Sequence, residues 1–373
     1  MEEEIEKEKE KEKILLGHGS GGRLMRKLVS EAITAEFGME EPLLDSAILS
    51  LEHCVKAPDA GVSRLAFTTD SYVVSPIFFD GGDIGDLAVN GTVNDLAMTG
   101  AQPLALSAGF IIEEGFAVTD LKKVVRSMSR AAKKAGVRIV TGDTKVVEKG
   151  KGDGIFINTS GVGFFMDPAA KNLSPGSIRP GDVIIVSGDV GRHGISVMAR
   201  RNGIDFDPPL ESDTKPLNGL VERMLSFSLS SKSARAAETA GNAKGQAVKA
   251  MRDPTRGGLA TVLKEFAMDC GLEMVIREED VPVMPAVKGA CGLLGLDYLY
   301  AACEGVLVAI VAPEFAESML DAMKQDEAGR SSAAIGRVAA PGRYPERSVI
   351  LETLAGGERV LDMLAGEQLP RIC

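Results

Sequence analysis

A long segment in the first third of the chain is rich in acids and has no basic residue. From Leu65 to Leu121 there is no Lys or Arg, whereas eight carboxylates occur: Asp70, Asp80, Asp83, Asp86, Asp95, Glu113, Glu114 and Asp120. Two carboxylates about 4 Å apart repel each other by roughly 4 kcal/mol at an effective dielectric constant near 20. Any that converge therefore need a cation from elsewhere, and a divalent metal ion is the natural candidate.

The centre of this segment, Gly81 to Gly100, predicts a helix with a polar stripe. In a helix, Asp83, Asp86, Asn90 and Asn94 would share one face. Oxygen ligands on such a stripe suit Mg²⁺, which prefers carboxylates, water and substrate phosphates. The alternative is an ordinary solvated face, although such faces normally carry Lys and Glu rather than Asn, Gly and Asp.

Two Gly-rich segments are candidates for phosphate contact through main-chain N–H groups. The first, residues 17–22, precedes a helical pattern and so places a helix N-terminus where an anion could sit. It does not have the residue order of a P-loop. The second runs from Arg252 to Gly258 and suits the start of a helix. The alternatives are a flexible turn for the first and a simple cap for the second.

The five cysteines and three histidines are too scattered to predict a zinc site. Small or apolar neighbours predict buried thiols for four of them: Cys54, Cys270, Cys291 and Cys303. Cys373 is the last residue, and it follows a short helical pattern from Val360 to Leu364 that Gly366 and Pro370 should end. We therefore expect a mobile segment that carries one distinctive thiol.

Two groups of strand-like and helix-like patterns must position these residues. The first predicts a helix over 119–135 and strands over 64–69, 104–112, 137–141 and 154–165. A break rich in Pro and Gly follows at 168–180. The second group predicts strands over 181–188, 272–277, 304–312 and 333–339, and helices over 191–202, 216–240, 257–270 and 313–325.

The predicted fold class is α+β, with mixed α/β character and two domains. The chain has 373 residues, and a single core seldom grows far beyond about 250. The expected bounds are a charged, disordered tail at 1–13, an N-terminal domain at 14–167, a C-terminal domain at 178–345, and an appendage with a mobile tail at 346–373. The first thirteen residues hold seven Glu and four Lys, which leaves almost nothing to bury.

Composition and charge argue against several classes of protein. A net charge of −11 disfavours a nucleic-acid binder, because such proteins rely on clustered Lys and Arg. No stretch approaches the roughly 18 apolar residues of a membrane span. The acidic N-terminus does not have the pattern of a signal peptide. We expect a cytoplasmic protein without a nucleic-acid or membrane partner.

The motifs together resemble the HypE family of hydrogenase maturation proteins. The resemblance spans about residues 14–373 and rests on six blocks in order: Gly17 to Gly22, Thr68 to Asp70, Gly82 to Gly100, Gly142 to Lys145, Arg252 to Gly258, and Pro370 to Cys373. The middle blocks also resemble a wider ATP-using superfamily that includes aminoimidazole ribonucleotide synthetase, selenophosphate synthetase and thiamine-monophosphate kinase. The terminal Pro-Arg-Ile-Cys distinguishes the HypE family from those relatives.

The resemblance implies an architecture and an activity. The architecture is a homodimer with an aminoimidazole ribonucleotide synthetase-like, two-domain subunit whose N-terminal domain binds ATP and Mg²⁺. The activity is the ATP-dependent dehydration of a carbamoyl group on Cys373 to a thiocyanate. The implied partners are a HypF-type carbamoyltransferase, which supplies the carbamoyl group, and a HypC–HypD-type complex, which receives the cyano group for the iron of [NiFe]-hydrogenase.

The resemblance also implies roles for individual residues. Cys373 carries the substrate, Lys145 neutralises phosphate or holds the carbamoyl oxygen, and Glu304 is a buried base. The expected metal ligands are Asp45, Asp70, Asp86, Asp95 and Asp143. The expected nucleotide contacts are Gly19, Ser20, Gly21, Gly22, Thr92, Asn94, Asp143 and Thr144. A surface lysine and a strand-edge carboxylate are the alternatives for Lys145 and Glu304.

Two other functions stay open at this point. The first is an ATP-dependent kinase or synthetase of the same superfamily that acts on a soluble small substrate. The second is a scaffold without catalysis, whose terminal thiolate carries or donates a ligand.

Overall fold

The computed structural model describes residues 22–34, 44–50, 64–165, 173–228, 247–342, 344, 347–364, 369 and 371–373. These residues form two α+β domains, each built on one large sheet. Among them, no helix is long and apolar enough to cross a membrane. The predicted acidic tail at 1–13 and Cys54 lie outside the described residues.

The first domain is built on a five-stranded sheet in the order β1-β2-β7-β5-β6. Strands β5 and β6 are parallel, whereas the other neighbours are antiparallel. A two-residue hairpin, β3 (Phe78–Phe79) and β4 (Gly82–Asp83), lies outside this sheet. The strands of the sheet are β1 Ala47–Ser50, β2 Arg64–Tyr72, β5 Gln102–Glu113, β6 Arg138–Val147 and β7 Ile155–Phe164.

Two long helices of this domain pack closely together, and the first also packs on β2 and β7. After a short helix α1 (Gly22–Leu28, continued as a π-helix over Val29–Thr34) come α2 (Ile84–Met98) and α3 (Val118–Ala135). The carboxylate of Asp83 caps α2 by accepting hydrogen bonds from the N–H groups of Gly85 and Asp86, at 2.7 and 3.3 Å. A Cβ at Gly85 would lie 2.5 Å from the main-chain oxygen of Val124 on α3, so glycine permits this close approach.

The opposite face of the sheet is exposed and partly apolar. Phe67 is 43% exposed, and its direct partners on the neighbouring strands are Ala47 and Val162. Ile111, which pairs with Lys145 on β6, is 48% exposed. Strand β6 is exposed along nearly its whole length. An apolar sheet face of this kind is typical of a surface that associates with another protein.

The second domain is built on a seven-stranded sheet in the order β14-β13-β10-β12-β8-β11-β9. Strand β11, which lies between β8 and β9, is buried at every residue, which explains its continuous apolar sequence. The strands are β8 Val183–Val186, β9 Val248–Arg252, β10 Glu273–Arg277, β11 Val308–Val311, β12 Ala333–Ala339, β13 Val349–Glu352 and β14 Glu358–Leu361. The helices are α4 Arg192–Arg201, α5 Asn218–Ser228, α6 Gly258–Cys270, α7 Pro285–Leu294 and α8 Ala316–Lys324.

The predicted appendage at 346–373 is partly wrong. Strand β13 lies parallel to β10, and β14 lies antiparallel to β13, so both belong to the sheet of the second domain. The helix expected from Val360 to Leu364 is not formed. Val360 is 44% exposed and Leu361 is buried, which is the alternation of a strand.

The strand predicted over 304–312 is shorter than expected. It begins at Val308, so Glu304 lies on the loop that precedes β11. The helix predicted over 216–240 is described as α5 up to Ser228, and residues 229–246 lie outside the described part of the chain.

Candidate active site

A cavity of about 300 Å³ lies between the two domains. Strand β2 and helix α2 line one side of it, and the segment Arg252 to Arg256 after β9 lines the other. The terminal cysteine, Cys373, also lines this cavity. The charged residues around it are Asp45, Asp70, Asp95, Arg252, Asp253, Arg256, Glu265 and Glu304. Acids, guanidinium groups and a thiol therefore share one site.

The tail, which we define as residue 369 together with residues 371–373, is docked against the loop that follows β2. The N–H of Val73 donates to the main-chain oxygen of Cys373, and the N–H of Ser75 donates to the carbonyl of Arg371, each at 3.2 Å. Between them, Ile372 is 5% exposed and packs in the core of the first domain. The predicted mobile tail is thus seen in a docked position, with its thiol partly buried.

The cation beside the thiol is Arg256 and not Arg371, which is two residues away in sequence. The guanidinium of Arg371 pairs with Asp153, and its Nε donates to the carbonyl of Val73 at 3.1 Å. Burial raises the pKa of Cys373 to about 12, and Glu304 adds to this effect, whereas the charge and the hydrogen bond of Arg256 oppose it. The docked thiol is therefore protonated at neutral pH, and a thiolate nucleophile is favoured outside this pocket.

Asp95 and Asp253 in the cavity are each repelled by other aspartates. Burial raises the pKa of Asp95 well above its usual value, and the charges of Asp253, Asp70 and Asp45 raise it further. Burial and Asp45 likewise raise the pKa of Asp253. Thr68 donates to Asp95 Oδ2 at 2.9 Å. Asp253 Oδ2 is buried and has no hydrogen-bond partner among the described residues. The group is electrostatically unsatisfied and would be stabilised by an added cation.

The main chain of Glu304 is held on both sides. Its N–H donates to Asp213 Oδ1 at 3.0 Å, and its carbonyl accepts from Asn94 Nδ2 at 3.3 Å. The side chain is 1% exposed, and Oε1 has no hydrogen-bond partner within the described residues. Burial raises the pKa of Glu304 well above its usual value, and Asp253 and Asp213 raise it further. A buried carboxyl group of this kind is suited to proton transfer.

The structure separates Asp86 from the other expected metal ligands. Asp45, Asp70 and Asp95 line the cavity, but Asp86 lies at the start of α2 beside the cap Asp83. Asp86 and Asp95 are nine residues apart, which at about 100° per residue places them on opposite sides of the helix. Burial, together with the charge of Asp83, raises the pKa of Asp86 to about 6.

The two expected nucleotide contacts on α2 have partners inside the protein. Asn94 is fully buried, and its Oδ1 accepts from the N–H of Leu217 at 2.8 Å while its Nδ2 donates to the carbonyl of Lys215. Thr92 is fully buried and hydrogen-bonded to Thr159. Asn90 and Asn94 of the predicted polar stripe therefore join α2 to the second domain, and no residue of the stripe lines the cavity.

The expected residues on β6 are exposed and lie away from the cavity. Lys145 and Asp143 are exposed and pair with each other. Thr144 is also exposed, and none of the three lines the cavity. Asp143 therefore does not join the aspartates of the cavity within this chain. Of the expected Gly-rich contacts, Gly19, Ser20 and Gly21 lie outside the described residues, while Gly22 begins α1.

No ready-made metal centre is present in the described part of the chain. Within it, no three His, Cys, Asp or Glu side chains converge closely enough to hold a metal ion by themselves. Sequence reasoning noticed the segment Arg252 to Gly258 but gave no role to Asp253 or Arg256. The adjacent Gly257 and Gly258 are the feature of the sequence that could have drawn attention to this segment. Both have a positive φ in the structure, where α6 starts.

Comparisons with known proteins identify the fold and the family. The chain matches the family models for AIR synthase related protein, N-terminal domain, over residues 57–165, and C-terminal domain, over residues 179–345. The carbamoyl dehydratase HypE of Cupriavidus necator is 47% identical over 361 residues, which cover 97% of this chain and 95% of that protein. The chain belongs to the HypE family of carbamoyl dehydratases. The HypE of Escherichia coli is 42% identical over 364 residues, covering 96% and 99% of the two chains.

Solved structures of HypE agree with this assignment. A crystal structure of a HypE–HypF complex contains a chain with a TM-score of 0.78 and 44% identity, covering 90% of this chain and 99% of that one. A HypE crystal structure in complex with ATP has a TM-score of 0.75 and 42% identity, covering 97% and 100%. A thiamine monophosphate kinase from Aquifex aeolicus has a TM-score of 0.57 at 16% identity and shares the fold. The predicted family and fold class are confirmed.

Proposed function

We propose that this protein uses ATP to dehydrate an S-carbamoyl group on Cys373 to an S-cyano group, which supplies the cyanide ligand for the iron of [NiFe]-hydrogenase. The observation that carries the proposal is the position of the tail. It brings Cys373 into a cavity lined by Arg256, Glu304 and several aspartates. A thiol held there in its protonated form is better placed to present an attached group than to act as a nucleophile.

The reaction converts Sγ–C(=O)–NH₂ into Sγ–C≡N. The carbonyl oxygen is a poor leaving group, so it first attacks the γ-phosphorus of ATP, and ADP leaves. One N–H proton passes to a protein base as the C=N bond forms. The C–O bond then breaks, and the oxygen departs as phosphate together with the second N–H proton. Each cyano group therefore consumes one ATP.

Glu304 is the base in this proposal. In its ionised form, Glu304 is a better proton acceptor than an exposed glutamate, because burial raises its pKa. Oε1, which lacks a hydrogen-bond partner among the described residues, is free to accept an N–H proton. Hydrogen bonds of its main chain with Asp213 and Asn94 fix the position of Glu304 in the cavity.

Arg256 stabilises negative charge at the same point. It reaches both Asp70 and the thiol of Cys373. A guanidinium can donate to the oxygen that is phosphorylated and then leaves. The neighbouring Arg252 is less available, because Asp45 lies 3.7 Å from its Nε and Glu265 pairs with it as well.

The residues of the cavity fit Mg²⁺ bound together with ATP. Mg²⁺ commonly uses one or two carboxylates and completes its shell with water and phosphate oxygens, so a closed set of three protein ligands is not required. Such a cation is favoured by Asp253 Oδ2, which is buried and has no hydrogen-bond partner among the described residues, and by the repulsion of Asp95 by Asp45, Asp70 and Asp253. When bound, Mg²⁺ would neutralise phosphate charge. We keep Gly19, Ser20, Gly21 and Gly22 as proposed nucleotide contacts.

We also propose a homodimer formed through the open face of the first sheet. The exposed Leu49, Phe67 and Ile111 on this face would be buried in such a dimer. Asp143, Thr144 and Lys145 lie on the same exposed strand, β6. Any role for them in catalysis would therefore be played in the dimer, at a site to which both subunits contribute.

The proposed partners follow from the chemistry of the thiol. A HypF-type carbamoyltransferase would load Cys373, and a HypE–HypF complex is known for a relative. A HypC–HypD-type complex would accept the cyano group. Both steps need the tail outside the cavity, because Ile372 is buried in the docked position. We place the protein in the cytoplasm.

A soluble small substrate is the alternative, and removal of residues 371–373 tests it. The truncated protein is supplied with ATP, Mg²⁺ and the carbamoyl donor, and the release of phosphate is measured. We expect no more phosphate than the same protein releases from ATP without the donor. A kinase or synthetase for a soluble substrate would keep its turnover after this truncation, and that result would contradict the proposal.

A further inference from the structure

His193, at the start of α4, is fully buried and joins the tail to the second domain. Its Nε2 lies 3.0 Å from the carbonyl oxygen of Ile372, and its Nδ1 lies 2.8 Å from Ser212 Oγ. A carbonyl oxygen can only accept, so Nε2 carries the proton. Nδ1 then accepts from the hydroxyl of Ser212, whose oxygen in turn accepts from the N–H of Thr214 at 3.1 Å. The carbonyl of Ile372 therefore sets the tautomer of His193, and the hydroxyl of Ser212 is the matching donor to Nδ1.

The imidazole is uncharged at neutral pH and donates through Nε2. Burial lowers its pKa to about 4. The ring also packs edge-on against Phe79, with 5.4 Å between the ring centroids. Its orientation is thus fixed by packing as well as by Ser212.

Helix α4 contacts two consecutive carbonyls of the tail. His193 donates to Ile372, and Arg201 Nη2 donates to Arg371 at 2.8 Å. Arg201 also donates to the carbonyl of Ser75 on the loop after β2. His193 acts on the peptide next to Cys373, so it has the more direct influence on where the thiol lies.

The residue next to Ser212 holds the proposed base. Ser212 orients the imidazole that binds the tail, and Asp213 accepts from the N–H of Glu304 at 3.0 Å. Two adjacent residues of one segment therefore support the substrate-bearing tail and the base. This arrangement fixes the position of the thiol relative to Glu304 when the tail is docked.

We propose that His193 is a positioning residue that latches the tail in the cavity, with Ser212 holding the imidazole in the orientation in which Nε2 donates to the tail. The inference rests on the proposed function for its consequence in catalysis, but tail docking can be measured without it. Loss of the latch should leave the tail outside for longer. That change should assist reactions at the thiol by external reagents and should slow the internal dehydration.

The first test measures docking alone. The full chain is treated with iodoacetamide at pH 8, and labelling of Cys373 is followed over time by peptide mass spectrometry. We expect His193→Leu to label about tenfold faster than the wild type, because it removes one buried hydrogen bond of the tail. His193→Gln keeps an N–H donor and should label within about twofold of the wild type. An unchanged rate in His193→Leu would overturn the latch.

A matched serine pair keeps the test valid if His193→Leu does not fold. Ser212→Ala removes the hydroxyl that orients the imidazole and should label about threefold faster. Ser187→Ala is the control, since Ser187 is also buried and its Oγ also accepts from a main-chain N–H, that of Leu307 at 2.9 Å. Equal labelling rates in the two serine variants would overturn the role of Ser212 and of the latch.

The second test uses the two half-reactions. In His193→Leu, loading of Cys373 by the carbamoyl donor should be at least as fast as in the wild type, while ATP-dependent dehydration of the loaded protein should be about tenfold slower. A general loss of structure would slow both, and that pattern would contradict a positioning role. If labelling changes as expected but no variant or wild type dehydrates, the latch stands and the proposed function fails.

Discussion

The guanidinium of Arg256 pairs with the carboxylate of Asp70 across the domain boundary, with 2.7 Å between Nη2 and Oδ1. Asp70 lies on β2 of the first domain, whereas Arg256 precedes α6 of the second. The same guanidinium reaches the thiol of Cys373. Arg256 therefore contacts both the first domain, through Asp70, and the sulfur of Cys373 that carries the substrate.

Arg256→Gln should slow dehydration by roughly 10²-fold, because loss of one preorganised donor to a developing oxyanion has about that effect. The rate is measured as single-turnover formation of the S-cyano product on carbamoylated protein. Arg359→Gln is the control. Arg359 also pairs with a carboxylate, that of Asp297 at 2.8 Å, but neither residue lines the cavity. Equal rates in the two variants would remove Arg256 from the mechanism.

Glu304→Gln should reduce dehydration by roughly 10²- to 10⁴-fold, since an amide cannot accept the N–H proton. Loading of Cys373 by the carbamoyl donor should be unaffected, which a mass spectrum of the loaded protein checks. Glu273→Gln serves for comparison, because Glu273 is also buried and accepts a main-chain hydrogen bond, from Gly342 at 2.9 Å. Full dehydration activity in Glu304→Gln would assign the proton transfer to another group.

His193 should make stability depend on pH in a specific window. Its pKa is lowered from 6.5 to about 4, so the unfolded chain takes up the proton first as the pH falls. The stability that the neutral imidazole provides is complete above pH 6.5 and is lost between about pH 6.5 and 4. The loss amounts to about 3 kcal/mol.

Urea unfolding of the wild type and of His193→Gln, from pH 7.5 to 4, measures this contribution as the difference between two curves. Asp213, whose pKa burial raises to about 6, titrates in both proteins and cancels in that difference. Parallel curves would mean that His193 is protonated as easily in the native state as in the unfolded chain.

Phe67→Glu should convert the proposed dimer into a monomer, because it places a charge in the middle of the open sheet face. Sedimentation velocity reports the change in mass. Leu293→Glu is the matched control, since Leu293 on α7 is 76% exposed and belongs to the second domain. A wild-type protein that sediments as a monomer at micromolar concentration would contradict the dimer directly.

Local patterns in the sequence were sufficient for much of the fold. The helix expected over 119–135 is α3 at Val118–Ala135, because its apolar residues repeat with helical spacing and Gly136 ends it with a positive φ. The strand expected over 333–339 is β12 with the same bounds. Each of these elements depends mainly on its own residues and on burial of one face.

The site was harder to predict, because its residues meet through long-range packing. Asp95 faces the cavity and Asp86 does not, which follows from the rotation of α2 and not from the residue types. Arg371 is two residues from Cys373 in sequence, but Arg256 is next to the thiol in space. The family resemblance implies a role for Glu304, but the lack of a hydrogen-bond partner for its Oε1 among the described residues depends on how the two domains pack.

The most direct test of the whole account is the intact mass of the carbamoylated chain before and after ATP and Mg²⁺ are added. We predict that the wild type loses the mass of one water, with one ADP formed per chain, and that Cys373→Ala shows neither loading nor loss. A confirmed carbamoyl adduct whose mass stays unchanged in the presence of ATP and Mg²⁺ would contradict the proposed dehydration.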